Sequence, residues 1–299
     1  MTKFYSHGKL LITGEYMVLR GAEALAIPSK MGQLLEFKSN HSRTLKWESW
    51  DHKNQLWFTA CIEIQDFSIS KTNDFNIALR LVQILKAVRA QNNHFLEDTG
   101  GRVKTHLEFD RQWGLGTSST LISNLAQWSQ TNPYILLQKS FGGSGYDIAC
   151  ATAKSPLIYR KAPTGTLIET CEFDPPFKSN LYFVYLNKKI SSRKAIRQFK
   201  SHNITEKQID YASALTRSMI NVNTLDEFEQ ILNKHENFIT KITGVISLKE
   251  KQFPDFQGAI KSLGAWGGDF ILATGNKSTP EYFKNKGFDI VMTYKQILI

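Results

Sequence analysis

No apolar run in this chain approaches the roughly 18–20 residues needed to cross a bilayer, so no membrane partner is expected. The N-terminal stretch from Met1 to Lys9 also lacks the apolar segment of a secretion signal, and a cytoplasmic location is the expectation. Cysteine is scarce. Cys61, Cys150 and Cys171 are widely spaced with no C-x-x-C, which excludes a disulfide framework and a thiolate metal centre. There is no G-x-x-x-x-G-K-[ST] loop, no internal repeat, no low-complexity tract and no Pro/Gly/Ser linker. Acid is in deficit: 27 Asp and Glu against 37 Lys and Arg leave a formal charge of +10. Such a balance suits nucleic acid, a membrane surface or a small anionic substrate. Aromatic-plus-basic strand motifs and a recognition-helix pattern are missing, so no nucleic-acid partner is expected.

What is present describes a globular protein of 299 residues, 41% hydrophobic and 21% charged, large enough for one big or two modest domains. Strands are expected over Lys9–Thr13, Gln33–Lys38, Leu45–Trp50, Leu56–Ile64 and Arg102–Asp110. Further strands are expected over Pro156–Arg160, Thr166–Phe173, Leu181–Leu186, Asp269–Thr274 and Phe288–Tyr294. Helical spacing runs through Asn73–Gln91, where Ile77, Ala78, Leu81, Val82, Ile84, Leu85 and Val88 form one apolar face, and through Ser119–Trp128. The second half adds helices over Ser191–Lys200, Thr205–Asn221 (opened by a Thr205/Gln208 capping box), Leu225–Thr243, Phe253–Gly264 and Pro280–Lys286. A β-rich first half and a helix-rich second half closed by strands make the class α+β. The composition shift places a domain boundary near 185, dividing 1–185 from 186–299.

The most informative segment is W-G-L-G-T-S-S-T, Trp113 to Thr120, between a strand and a helix. Two glycines let the backbone approach a ligand, and the helix start offers unpaired N–H groups that suit phosphate. Ser118, Ser119 and Thr120 add hydroxyls for phosphate or a magnesium ion. The same pattern also occurs as a plain strand-to-helix connection. Three other segments accompany it in order: G-K-L-L-I-T-G-E-Y from Gly8, G-G-S-G-Y-D-I-A from Gly142, and K-S-L-G-A-W-G-G-D-F from Lys261.

These four segments resemble the signature segments of the GHMP kinases, the family of galactokinase, homoserine kinase, mevalonate kinase and phosphomevalonate kinase. The resemblance spans Lys9 to Asp269 and implies a two-domain α+β fold with mixed and antiparallel sheets and helices. It implies ATP and Mg2+ as cofactors and a small-molecule acceptor, and leaves the oligomeric state open. Carried over, Lys9 and Asp147 are the catalytic residues. Gly114, Leu115, Gly116, Thr117, Ser118, Ser119 and Thr120 bind nucleotide together with Gly264, Gly267 and Gly268, and Ser118 faces the metal. Glu15, Tyr16, Ser144, Gly145, Lys188, Ser191, Ser192 and Arg193 line the acceptor.

Each residue has a plainer reading: Lys9 as a surface lysine at a strand start, Asp147 as a helix N-cap, and the basic residues from Lys188 to Lys200 as a solvated face. Four departures from the mevalonate-kinase pattern matter. Tyr16 stands where those enzymes carry histidine. The stretch Tyr134–Phe141 contains no acid where they place a magnesium-binding glutamate. Trp266 and Asp269 interrupt the glycine-rich third segment. Asp269 is expected to point away from the phosphates, because a carboxylate repels a triphosphate. Gln138 onward, Q-x-x-x-G-x-S-G-Y-D-I-A, is closer to phosphomevalonate kinases. An already phosphorylated acceptor is therefore expected, with mevalonate as the alternative. A non-catalytic ligand-binding protein of the same fold is the third reading.

Overall fold

The computed structural model describes residues 1–162, 165–189, 196–197, 199, 202–264 and 268–299. These form two compact units. The first comprises 1–8, 31–111 and 115–152; the second comprises 9–30, 112–114 and 153–299. This division by compactness differs from a single cut near 185, because the chain passes between the units several times. Class and architecture are α+β with mixed sheets, as expected.

In the first half of the chain β1 is Thr2–Leu11, β2 Ala24–Ser39, β3 Thr44–Trp50, β4 Leu56–Glu63 and β5 Ile69–Thr72. Helix α1, Phe75–Arg89, starts where Asp74 accepts the Ile77 N–H at 3.1 Å. Strand β6 is Gly101–Leu107, and α2, α3 and α4 are Thr117–Ser129, Pro133–Ser140 and Tyr146–Thr152. Within the first unit β6 runs parallel to β3 and antiparallel to residues 33–39 of β2. The alternating faces of β3 and β4 turn Leu45, Trp47, Phe58, Ala60 and Ile62 toward α1 and α2, whose Leu81, Leu85, Ile122 and Leu125 close the core. Helix α3 was not expected. Its signal is the dipeptide Asn132–Pro133, in which Asn132 caps Tyr134 and Pro133 opens the first turn.

The second unit joins two sheets. Residues 24–26 of β2 pair with β7, Leu157–Ala162, which pairs with β8, Gly165–Thr170. A separate sheet has the order β10-β11-β9-β12, with β9 Leu181–Tyr185, β10 Ile260–Ser262, β11 Phe270–Thr274 and β12 Val291–Thr293. Helices Glu206–Asn221 and Leu225–Thr243 stand where periodicity put them, and the Thr205/Gln208 capping box is present. The expected helix over Phe253–Gly264 is not. A short helix Leu248–Gln252 stops before Phe253, which the following Pro254 holds out of the helical region, and the chain continues into β10. Gly258 has no room for a side chain, since a Cβ there would lie 2.0 Å from the Thr274 carbonyl. The expected helix over Ser191–Lys200 lies mostly outside the described residues.

Candidate active site

In the first unit, Gly116 (φ 99°) sits directly before Thr117 in the left-handed region, and no side chain caps helix α2. The helix begins two residues earlier than periodicity suggested, and no side chain accepts from its first N–H groups. The hydroxyls here divide by role. Ser119 Oγ donates to the Gly116 carbonyl at 2.9 Å, and Thr120 Oγ1 lies 3.0 Å from that carbonyl and 3.1 Å from Gln33 Oε1. Both are buried and serve the helix. Ser118 is exposed, so its hydroxyl suits a ligand or a metal ion. Leu115 is fully buried and anchors the loop.

Helix α4 packs against α2, with Ile148 in the same core as Ile122 and Leu125. It is preceded by Gly142, Gly143 and Gly145, all at positive φ. A side chain at Gly142 or Gly143 would meet nothing within 4 Å, so the left-handed backbone alone selects glycine there. Ser144 is half-buried and Gly145 is buried. Asp147 is not an N-cap. It stands in the first turn of α4, half-buried, where the helix dipole favours a carboxylate.

In the second unit, Lys9 is half-buried on β1. The first segment then makes a strained turn in which Gly14 (φ 81°) and Tyr16 (φ 61°) are both left-handed. Glu15 does not face outward. Its carboxylate is fully buried, 2.5 Å from the equally buried Lys261 ammonium. His235 Nε2 accepts the Gly14 N–H at 3.0 Å, which fixes a neutral ring protonated at Nδ1. The neighbouring Glu236 accepts the Ser262 N–H and hydroxyl, the latter at 2.9 Å. Helix Leu225–Thr243 thus holds both the first segment and the strand that leads into the third.

Burial pushes the Glu15 carboxyl up, with Lys261 working against it. Burial and then Lys261 push His235 well below its ordinary value. Burial raises Glu236 to about 7, against the opposing pull of Lys261 and Ser262. None of these groups except Lys261 and Glu15 was drawn from sequence, and Glu15 was placed on the acceptor. The missed signal is that His235 and Glu236 occupy the inward positions of a helix that also buries Phe228, Leu232 and Ile239.

Glu236 carries a pH prediction. Its folded value lies above its unfolded value near 4.5, so its contribution is intact below pH 4.5, is lost as pH rises toward 7, and is flat above. The step amounts to about 3 kcal/mol at 1.36 kcal/mol per pKa unit. Glu236→Gln, whose amide oxygen can keep both Ser262 bonds, is expected to remove it. Urea unfolding of both proteins at pH 5 and pH 8 checks this; parallel changes in the two proteins would exclude Glu236 as the source.

Tyr16 stacks on Phe199, ring centroids 5.0 Å apart. Lys188 is exposed, and its carbonyl accepts the Asp269 N–H at 2.7 Å. Gly264 (φ 69°) has open space around it, and Gly268 is buried. Ser191, Ser192, Arg193, Trp266 and Gly267 lie outside the described residues.

Asp269 departs from expectation. Its carboxylate does not turn from the glycine loop but rests on Gly114, where a Cβ would lie 2.3 Å from Oδ2. The cause is local. Asp269 is itself left-handed (φ 55°), and its backbone is fixed by Lys188 on one side and by the Leu186 N–H, at 2.9 Å, on the other. Trp113, beside Gly114, packs on Tyr185 and Phe270. The second unit thereby brings the first loop glycine, the end of the third segment and the Lys188 backbone together.

No protein-family model matches the chain, and no curated protein does. Solved structures do. Streptococcus pneumoniae phosphomevalonate kinase in complex with phosphomevalonate and AMPPNP superposes with a TM-score of 0.69 at 15% identity, covering 98% of this chain and 100% of that one. L. major mevalonate kinase in complex with R-mevalonate gives 0.68 at 16%, covering 100% and 96%. Lactococcus lactis galactokinase complexed with galactose gives 0.67 at 10%, covering 99% and 93%. The likeness extends over nearly the whole chain, so the resemblance carried by four short segments holds at the level of fold.

Proposed function

We propose that this chain, with the fold of the GHMP kinases, is an ATP-dependent kinase of a small anionic acceptor, with phosphomevalonate ahead of mevalonate. One observation carries the kinase reading: left-handed Gly114 and Gly116 deliver the chain to an uncapped helix with an exposed Ser118. Backbone N–H groups there are suited to the phosphates of a nucleotide. Ser118 is the hydroxyl suited to hold magnesium, since Ser119 and Thr120 are committed to the helix. The metal, when bound with ATP, supplies positive charge to the transferring phosphoryl group.

Lys9 is assigned to neutralising charge that builds during transfer. Asp147 is assigned to the acceptor. With an alcohol it would accept or orient the hydroxyl proton. A phosphate, with a second pKa of about 6, is already largely ionised at neutral pH and needs only orientation. The preference for a phosphorylated acceptor rests on the charge of +10, on Tyr16, and on the basic stretch from Lys188 through Arg193. Phosphate approaching phosphate requires opposing cations.

A second reading, a ligand-binding protein of this fold without catalysis, draws on Asp269, whose carboxylate sits against Gly114. Coupled ADP release over phosphomevalonate, mevalonate, homoserine and galactose tests both. Phosphomevalonate is expected to give the highest kcat/KM. Turnover of mevalonate with none of phosphomevalonate would overturn the acceptor while leaving a kinase. No ADP release from any acceptor by a protein that binds nucleotide would favour the second reading.

A further inference from the structure

A hollow of about 550 Å³ lies wholly within the second unit, between the segment 19–21, the end of β7 and the start of helix Glu206–Asn221. That volume suits a small molecule. Its charges are divided between its walls. On one wall Arg160 donates from Nε to the Gly21 carbonyl at 2.9 Å. A guanidinium anchored through Nε leaves its two Nη groups as a fork suited to a carboxylate. Lys161, next along the strand, alternates to the other face and brings its carbonyl beside Gly21. Arg20 also lines the hollow and donates to the His202 carbonyl at 3.1 Å. On the facing wall Glu206 and Asp210 stand one turn apart on the helix. Leu19 and Ile209 supply apolar surface between the walls. Among the described residues neither carboxylate has a hydrogen-bond or ion-pair partner, and no bond leaves the Nη groups of Arg160. Opposite charges attract across such a gap, yet the walls are held. Further along the helix, Thr216 bonds Thr13 at 2.8 Å and Ser213 accepts the Glu23 N–H at 3.0 Å. The helix is thereby pinned to the chain on both sides of the segment 19–21.

We propose that this hollow binds a small zwitterion. Its carboxylate rests on the Arg160 fork, its ammonium on Glu206 and Asp210, and its short aliphatic body on Leu19 and Ile209. The chemistry is that of a free amino acid with an aliphatic side chain or spacer. None of these residues is assigned to ATP or to the acceptor, so the proposal stands apart from the kinase reading.

The test is titration of the full chain followed by 1H–15N NMR. The probes are L-leucine and 6-aminohexanoate, which carry the same two charges close together and far apart. Hexanoate and hexylamine are controls with one charge each. At least one zwitterion is expected to bind about fivefold or more tightly than either control, the gain from one further exposed ion pair, with amide shifts at Gly21 and Ile209. Arg160→Gln should erase the advantage over hexylamine. The double variant Glu206→Gln with Asp210→Asn should erase the advantage over hexanoate. All three side chains are exposed, so these changes leave the core intact. Whichever zwitterion binds more tightly fixes the charge separation that the hollow accepts. A control that binds as tightly as both zwitterions would overturn the proposal. So would shifts centred away from Gly21 and Ile209, absence of saturable shifts with either zwitterion, or variants that keep the full preference.

Discussion

Replacing Lys261 with methionine is expected to lower stability by about 3–5 kcal/mol, because it strands the Glu15 carboxylate in the interior. Lys261 and Glu15 have fully buried side chains, and Glu15 Oε2 has no hydrogen-bond partner even with the lysine present. His235 cannot substitute. Its Nε2 is the acceptor for Gly14, and burial beside Lys261 holds the ring neutral. The loss should shrink as pH falls, since protonation of Glu15 removes the stranded charge. A double variant, Glu15→Leu with Lys261→Met, should recover much of it, because apolar packing often replaces a buried ion pair at little cost. Urea unfolding of the single and double variants is the measurement. A single-variant loss under about 1 kcal/mol would mean that the pair is solvated in a way its burial does not suggest.

The second large effect is on rate. Lys9→Ala is expected to reduce kcat by about a hundred- to a thousandfold, the range measured when one electrostatic donor to a transition state is removed. Lys9 is half-buried near the end of β1, in a register set by the strand and not by a loop, so a shorter side chain cannot compensate by movement. The nucleotide KM should change little, which separates this effect from loss of the loop at Gly116. Steady-state ADP release with the preferred acceptor checks it, with circular dichroism as the control for folding. Turnover near that of the natural protein would return Lys9 to an ordinary surface lysine.

The sequence revealed most where a residue type has one dominant local use. Helix α1, the Thr205/Gln208 box and the Gly116 turn all follow from short-range rules, and all three are present. The reading failed where distant residues decide. Strand β10 is a strand because β11 pairs with it, a fact that the periodicity of Phe253–Gly264 does not contain. Glu15 was assigned to the acceptor by resemblance, yet its carboxylate is buried against Lys261. Asp269 read as turned away because electrostatics alone argues so. Its direction is set instead by backbone bonds to Lys188 and Leu186, which no local pattern announces. His235 and Glu236 were legible in principle, as two polar residues on a buried helical stripe. Polarity at such positions shows that a partner exists without naming it.

The distance along the chain between Glu15 and Lys261 also bears on how the protein is made. The two residues are 246 positions apart. At a synthesis rate of roughly 5–20 residues per second, the glutamate leaves the ribosome about 12–50 s before its lysine exists. Through that interval the Glu15 carboxylate has no buried cation to meet and the Gly14 N–H no histidine acceptor, and the apolar strand that precedes them has no completed second unit to enter. The first unit draws nothing from beyond Thr152 and can close while translation continues. The nascent chain therefore carries a finished body and an unclosed N-terminal segment at once, and it is that segment, Lys9 to Lys30, that a chaperone would find exposed.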